Sequence, residues 1–197
     1  MGRNLRRRAC GRLDAGLHGV TVLTDPVRRR LALPVHQDVL RVVVGEDAVP
    51  VILGADGLLS ANPKELTIIV MSTLDPDTMN ELGQRVEKGG DMKLIAAAVS
   101  GGATGAQHGT LSIMTSGPEE RVALARPYFD AVGSNVFYYG SQPGNSQAAK
   151  LVNNLILGIT MNAVAEGLKF GAQYNLLRDE LLNLFKVSTS DSWVARN

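Results

Sequence analysis

A serine and two glycines, Ser100, Gly101 and Gly102, directly follow the apolar run AAAV at 96–99. Ligands of open parallel sheets bind at the carboxyl ends of strands, which is where a hydroxyl at position 100 would stand. Residues without a Cβ also let backbone N–H groups approach an anion closely. The pattern predicts a turn that holds a substrate carboxylate, with a purely structural glycine turn as the alternative.

A lysine and an asparagine four residues apart, Lys150 and Asn154, lie on one face of a predicted helix. The lysine stands among alanine, leucine and valine, and burial there would lower its pKa towards the range in which it exchanges protons near neutrality. The asparagine could then hold the oxygen that takes part in the proton transfer. The alternative is a lysine whose stem lies along an apolar helix with its ammonium group in water.

The elements that position these residues alternate between strand and helix patterns. Short runs rich in apolar or β-branched residues predict strands at 20–24, 39–45, 65–73, 91–100, 111–117 and 135–140. Two segments, 76–90 and 117–133, have acidic first turns and terminal glycines and predict helices. The alternation predicts an α/β fold with a mostly parallel sheet, in which 111–117, with its more alternating pattern, forms an edge strand.

The organisation changes after Gly140, where about 27 residues keep helical periodicity. Asn145 or Ser146 is the predicted N-cap of this long helix. Its apolar residues recur at spacings of three and four over much of its circumference, so we expect a central, buried helix. A further helix is predicted within 177–193.

Composition narrows the class of protein. Of 197 residues, 45% are hydrophobic and 20% charged, which is typical of soluble globular proteins. The single cysteine, Cys10, excludes an internal disulfide framework and a cysteine-based zinc site, and no metal site is predicted. No apolar run reaches the roughly 18 residues of a membrane span. We therefore expect a cytoplasmic protein with no membrane partner.

The first 30 residues carry eight arginines and two aspartates, although the whole chain has a net charge of only +1. A basic arm of this kind can bind nucleic acid. No aromatic stacking platform accompanies the charge, so we predict a solvated end and no nucleic-acid partner.

Four ordered segments carry a resemblance to a known family. They are VSGGATGAQHGTLSIMTSG at 99–117, GSQPGNSQAAKLVNNLILG at 140–158, AEGLKFGAQYNL at 165–176 and SW at 192–193. LGADGLL at 53–59 and MSTLDPDT at 71–78 also fit. Together they resemble the β-hydroxyacid dehydrogenase family of the 6-phosphogluconate dehydrogenase superfamily, which includes 3-hydroxyisobutyrate dehydrogenase and tartronate semialdehyde reductase. The resemblance covers roughly residues 38–197.

The resemblance implies a Rossmann-like NAD(P)-binding domain, a long interdomain helix and an all-helical domain. The expected boundaries are 1–140 for the first domain, in which 1–37 match poorly, and 141–197 for the long helix and a truncated helical domain. The implied reaction transfers a hydride between NAD(P) and a small 3-hydroxy acid or its semialdehyde. Full-length members imply a homo-oligomer, although the oligomeric state of this chain is not readable from its sequence.

The resemblance also implies a role for each matching residue. Ser100, Gly101 and Gly102 would bind the substrate, and Lys150 would donate or accept the proton. Asn154 would orient the reacting oxygen. Thr73 would approach the cofactor, which supplies the hydride while the protein supplies position and a proton.

Several positions depart from the family pattern. Residues 96–98 are all alanine where the family has Asp-Ala-Pro, and Ser146 replaces the glycine usually found four positions before the lysine. Asn153 and Leu157 replace the histidine and glutamate of 6-phosphogluconate dehydrogenases, which disfavours a phosphorylated sugar acid as substrate. The presence of Lys150 disfavours an imine substrate.

The two ends of the chain depart most from the family pattern. MGRNL at the start resembles the tail of the family's GxGxMGxxLA, so Gly2 is the cofactor-binding glycine that remains while the first strand is expected to be absent. Asp25, after the second family strand, slightly favours NAD over NADP. Because part of the helical domain is also expected to be missing, the alternative function is a non-catalytic remnant with weak or no cofactor binding.

Overall fold

The structure, a computed structural model, describes residues 20–21, 39–43, 48–60 and 66–196. These residues form two compact units, one ending at Lys150 and the other starting at Leu151. The first unit contains the sheet and the second is helical.

The described strands form one sheet whose order follows the chain. They are β1 (Val20–Thr21), β2 (Val39–Val43), β3 (Leu66–Val70), β4 (Lys93–Ser100), β5 (Leu111–Ser116) and β6 (Gly133–Tyr138). The pairs β2–β3, β3–β4 and β5–β6 are parallel, whereas β1–β2 and β4–β5 are antiparallel. The prediction of a mostly parallel sheet in an α/β fold is confirmed.

The prediction that β5 is an edge strand is wrong. It lies between β4 and β6 and runs antiparallel to β4. Its polar residues suggested a solvent-facing side, yet Thr115 and Ser116 are buried. The Thr115 hydroxyl donates to the Phe137 carbonyl oxygen at 2.8 Å. Because neighbouring segments satisfy these hydroxyls, polarity in this strand does not indicate exposure.

Helices flank the sheet in the first unit. They are α1 (Ala48–Leu53), α2 (Pro76–Lys88), α3 (Gly102–His108) and α4 (Glu119–Val132). The predicted start of α2 is confirmed, since Asp75 caps it by accepting from the N–H groups of Asp77 and Thr78 at 3.0 and 3.1 Å. The short helix α3 was not predicted, because the segment after Gly101 is rich in glycine.

The core lies on both faces of the sheet. Adjacent strand residues point to opposite faces, and Ile68 packs with α1 and α2 while Ile69 packs with α4. Phe129 of α4, the largest fully buried side chain among the described residues, belongs to the second of these clusters. Burial on both faces explains why β3 and β4 are continuous apolar runs in the sequence.

The long helix α5 (Gly144–Ala172) has 29 residues. It begins at Gly144, so the prediction of an N-cap at Asn145 or Ser146 is wrong. The two side chains instead bind neighbouring segments: the Asn145 side chain donates to the Tyr139 carbonyl oxygen at 2.8 Å, and Ser146 pairs with Ser116. They therefore tie the start of the helix to the end of the sheet.

The part of α5 in the second unit is exposed, and the prediction of a buried helix is wrong there. Leu155 and Ile159 are 62% and 57% exposed. Two short helices, α6 (Arg178–Phe185) and α7 (Trp193–Arg196), follow in the described chain. Leu181 of α6 packs so closely on Gly171 that a Cβ there would clash with it. These helices cover a small part of α5, which leaves much of its apolar surface uncovered.

By length and composition alone, α5 is also apolar enough to cross a membrane. A single helix of this kind is weak evidence for a membrane span, because core helices of soluble proteins have the same composition.

Candidate functional site

The turn after β4 has the backbone conformation of a glycine turn. Strand β4 continues past the end of β3, since Val70 pairs with Ala96, and it stays paired with β5 as far as Ser100. Gly101 and Gly102 then have φ values of +125° and +62°. L-residues rarely adopt the first of these, so the turn requires glycine at position 101. Ser100 is half-buried at the carboxyl end of the strand, where the sequence placed it.

Thr73, the residue predicted to approach the cofactor, lies in the segment between β3 and α2 and is exposed. Its neighbour Ser72 is buried, and Leu74 is half-buried. The segment follows the carboxyl end of β3, the strand beside β4. Thr73 thus lies just after β3 and Ser100 is the last residue of β4, so both are at the carboxyl ends of two neighbouring parallel strands.

A buried amide that the sequence analysis missed, Gln147, holds the segment around Thr73. Its Nε2 donates to the Ser72 carbonyl oxygen at 3.0 Å, and its Oε1 accepts from the Leu74 N–H at 3.0 Å. The side chain is fully buried. The available signal was a polar residue on a helix turn with small neighbours, three positions before Lys150.

The first turn of α5 is fixed further by Ser146, which stands where the resemblance leads one to expect glycine. Ser146 is fully buried, and its N–H donates to Ser116 Oγ at 3.1 Å. The two hydroxyl oxygens are 2.8 Å apart, and Ser116 Oγ donates to the Pro143 carbonyl oxygen at 2.7 Å. The hydroxyl of Ser116 therefore compensates for the extra polar side chain, because each buried oxygen has a partner.

Lys150 is half-buried one turn after these anchors and is the last residue of the first unit. Partial burial lowers the pKa of its ammonium group, the direction that the sequence analysis anticipated. Asn154 follows four residues later on the same helix and is exposed. The structure thus joins the segment of Thr73 to the helix that carries Lys150.

The remaining predicted positions are not part of this arrangement. Gly2 and Asp25 lie outside the described residues. A groove of about 350 Å³ in the second unit is lined by residues of α5, α6 and α7 and contains none of the predicted site residues.

Comparisons with known proteins identify two family models. Residues 13–140 match the NAD binding domain of 6-phosphogluconate dehydrogenase, and residues 144–197 match the NAD-binding domain of NADP-dependent 3-hydroxyisobutyrate dehydrogenase. The first match begins well before residue 38, so the expectation that the similarity starts near residue 38 is wrong. The second match covers all of α5, including its exposed apolar part.

Individual dehydrogenases are also similar to this chain. A 3-hydroxyisobutyrate dehydrogenase of Pseudomonas aeruginosa is 37% identical over 149 residues, which are 76% of this chain and 49% of that protein. A mitochondrial 3-hydroxyisobutyrate dehydrogenase of Mus musculus is 37% identical over 147 residues, 75% of this chain and 43% of that protein. The chain thus spans about half the length of the curated relatives it matches.

A solved structure shares the fold: Psf3 in complex with NADP+ and 2-OPP superposes with a TM-score of 0.71 at 26% identity. The match covers 80% of this chain and 55% of that chain. Because the first family model alone matches more than half of the residues, and the relatives and the solved structure agree with it, the chain belongs to the β-hydroxyacid dehydrogenase family of the 6-phosphogluconate dehydrogenase superfamily.

Proposed function

We propose that this chain takes part in an NAD(P)-dependent oxidoreductase reaction, the transfer of a hydride between a nicotinamide cofactor and a small 3-hydroxy acid or its semialdehyde. The observation that carries the proposal is the hydrogen-bonded junction between the Thr73 segment and the first turn of α5. It joins a candidate cofactor-binding segment to the helix that carries the candidate proton donor.

The residues at the carboxyl ends of β3 and β4 fit a bound nicotinamide cofactor and an acid substrate. Thr73 is exposed there, and the space around Gly102 is open, since a Cβ at that position would meet no heavy atom within 4 Å. When bound, a nicotinamide cofactor supplies or accepts the hydride. Gly2 and Thr73 would contribute to holding it.

The protein's own part is binding and proton transfer. Ser100, Gly101 and Gly102 would hold the substrate carboxylate through the hydroxyl and the backbone N–H groups. Lys150 would give a proton to the carbonyl oxygen during reduction and take it from the hydroxyl during oxidation. Asn154 would keep that oxygen in line with the lysine.

The finer assignments belong to the same proposal. Asp25 gives a slight preference for NAD over NADP, and the location would be cytoplasmic. A homo-oligomer is expected of the full-length family, and this chain would bind no nucleic acid and no membrane.

Cofactor binding tests the proposal most directly. Titration of the purified chain with NADH and with NADPH, followed by energy transfer from Trp193 or by calorimetry, is expected to give a dissociation constant on the order of micromolar for one of them. Trp193 is the only tryptophan, so the fluorescence signal has one source. Absence of binding up to roughly millimolar cofactor would contradict the proposal and favour a non-catalytic member of the family.

The pH dependence of turnover tests the role of Lys150. Oxidation of the hydroxy acid needs the neutral amine, so its kcat/KM should rise with pH, while kcat/KM for reduction of the semialdehyde should fall. Since burial lowers the pKa of Lys150, both changes should occur at lower pH than an ordinary lysine would give. Initial rates in both directions across a pH series measure this, and an oxidation rate that falls as the pH rises would exclude Lys150 as the base.

A further inference from the structure

We propose that Gln147 is a positioning residue that fixes the backbone around Thr73 to the helix turn bearing Lys150, so that the cofactor-binding segment and the proton donor keep one relative placement. The inference rests on the proposed function, because it assigns Gln147 a part in that same reaction. Gln147 itself would touch neither the substrate nor the cofactor.

The geometry of the amide supports the proposal. Its NH₂ group donates to the residue before Thr73, and its oxygen accepts from the residue after it. Both bonds are 3.0 Å long, and the Gln147 side chain that forms them is fully buried. The planar amide of Gln147 thus binds the main chain on both sides of Thr73. Two such bonds fix the direction of the main chain at Thr73 as well as its distance from α5.

No other side chain among the described residues forms two hydrogen bonds to the main chain around Thr73. The Ser72 hydroxyl is buried and has no hydrogen-bond partner among the described residues. The first turn of α5, which carries Gln147, is held by further hydrogen bonds. The Gly144 N–H donates to Asn80 Oδ1 at 2.8 Å, and Ser146 pairs with Ser116. Gln147 therefore supplies two side-chain hydrogen bonds that join the Thr73 segment to a helix turn that is itself held by several others.

Placement matters for this reaction because hydride and proton transfer require the reacting groups in line. A misplacement of about 1 Å can lower a rate about 100-fold. Lys150 follows Gln147 by three residues on the same helix. A shift of the Thr73 segment relative to this turn would change the distance between the cofactor and the proton donor without removing either.

Hydrogen exchange at the Leu74 amide tests the contact independently of activity. Gln147→Met keeps the length of the side chain and removes both hydrogen bonds, so the Leu74 amide should exchange at least about tenfold faster. Thr115→Val is the matched control, since it removes one buried bond from a side chain to the main chain elsewhere in the sheet. Unchanged exchange at Leu74 in Gln147→Met would overturn the inference.

Steady-state kinetics of the same variants separate positioning from simple stability. Gln147→Met should lower kcat about tenfold or more with little change in KM for the hydroxy acid, whereas Thr115→Val should leave kcat unchanged even if its melting temperature falls as far. If Leu74 exchanges faster while kcat stays at the wild-type value, Gln147 is a structural residue only and the inference fails.

Failure of the proposed function and failure of this inference give different experimental results. A wild-type chain that turns over no hydroxy acid and no semialdehyde removes the proposed function together with this inference. An active wild-type chain whose kcat resists Gln147→Met removes the inference and leaves the proposed function in place.

Discussion

Lys150→Ala is expected to lower turnover of the hydroxy acid by about 10²–10⁴-fold, the usual contribution of a positioned general acid or base. Binding of NADH or NADPH should remain largely intact, because the proposed contacts with the cofactor come from Gly2 and Thr73. The half-buried position of Lys150 and the lowered pKa of its ammonium group suit it to proton transfer. Steady-state rates and a cofactor titration on the same preparation measure both parts.

The matched control for this variant is Lys169→Ala. Lys169 lies on the same helix and is exposed, so its loss should leave the rate close to the wild-type value. Near-full activity in Lys150→Ala would show that another group moves the proton. Equal loss in the two variants would show that α5 depends on its lysines for stability and would remove the catalytic assignment.

Gly101→Ala is expected to lower the free energy of unfolding by about 1–3 kcal/mol, the cost of holding an L-residue in a sparsely populated backbone conformation. Gly101 has a φ of +125°, and a Cβ there would come within 3.2 Å of Leu111 Cδ2. For a protein of this size each kcal/mol corresponds to roughly 2–4 °C in Tm. The substrate KM should rise as well, because the displaced turn is the proposed carboxylate site. Thermal melts and substrate titrations measure the two effects.

Gly102→Ala is the neighbouring control. Gly102 has a φ of +62°, close to the left-handed helical region, and open space where a Cβ would lie. Strain of about 1 kcal/mol is expected there, without a steric contribution. If the two alanine variants lose the same stability, the close approach between the turn and Leu111 is not a constraint on this site.

The order of strands and helices was predictable because the sequence pattern that favours each element lies within that element or next to it. The apolar runs that became β3 and β4 are continuous in the sequence, and the capping residue and early proline of α2 are adjacent to the helix they start. Backbone preferences of this kind act over a few residues, so they can be read without knowledge of the neighbours. The turn at Gly101 was predictable in the same way, because the glycine is visible in the sequence before its φ is known.

The candidate site was predictable in part. Ser100 and Lys150 were singled out because a hydroxyl after an apolar strand and a lysine on an apolar helix are locally unusual. Gln147 was not, because its significance lies in partners 73 and 75 residues away in the chain. A glutamine that binds distant main-chain atoms has the same local sequence as one in solvent.

The sequence by itself determined the alternation of strands and helices, the glycine turn after β4 and the position of Lys150 on a helix. Only the tertiary structure decided that β5 is an interior strand, that α5 is exposed beyond Lys150, and that Gln147 binds the main chain on both sides of Thr73. The physical reason is range: turn and capping preferences act within a few residues, whereas burial and the satisfaction of buried polar groups depend on segments brought together by folding.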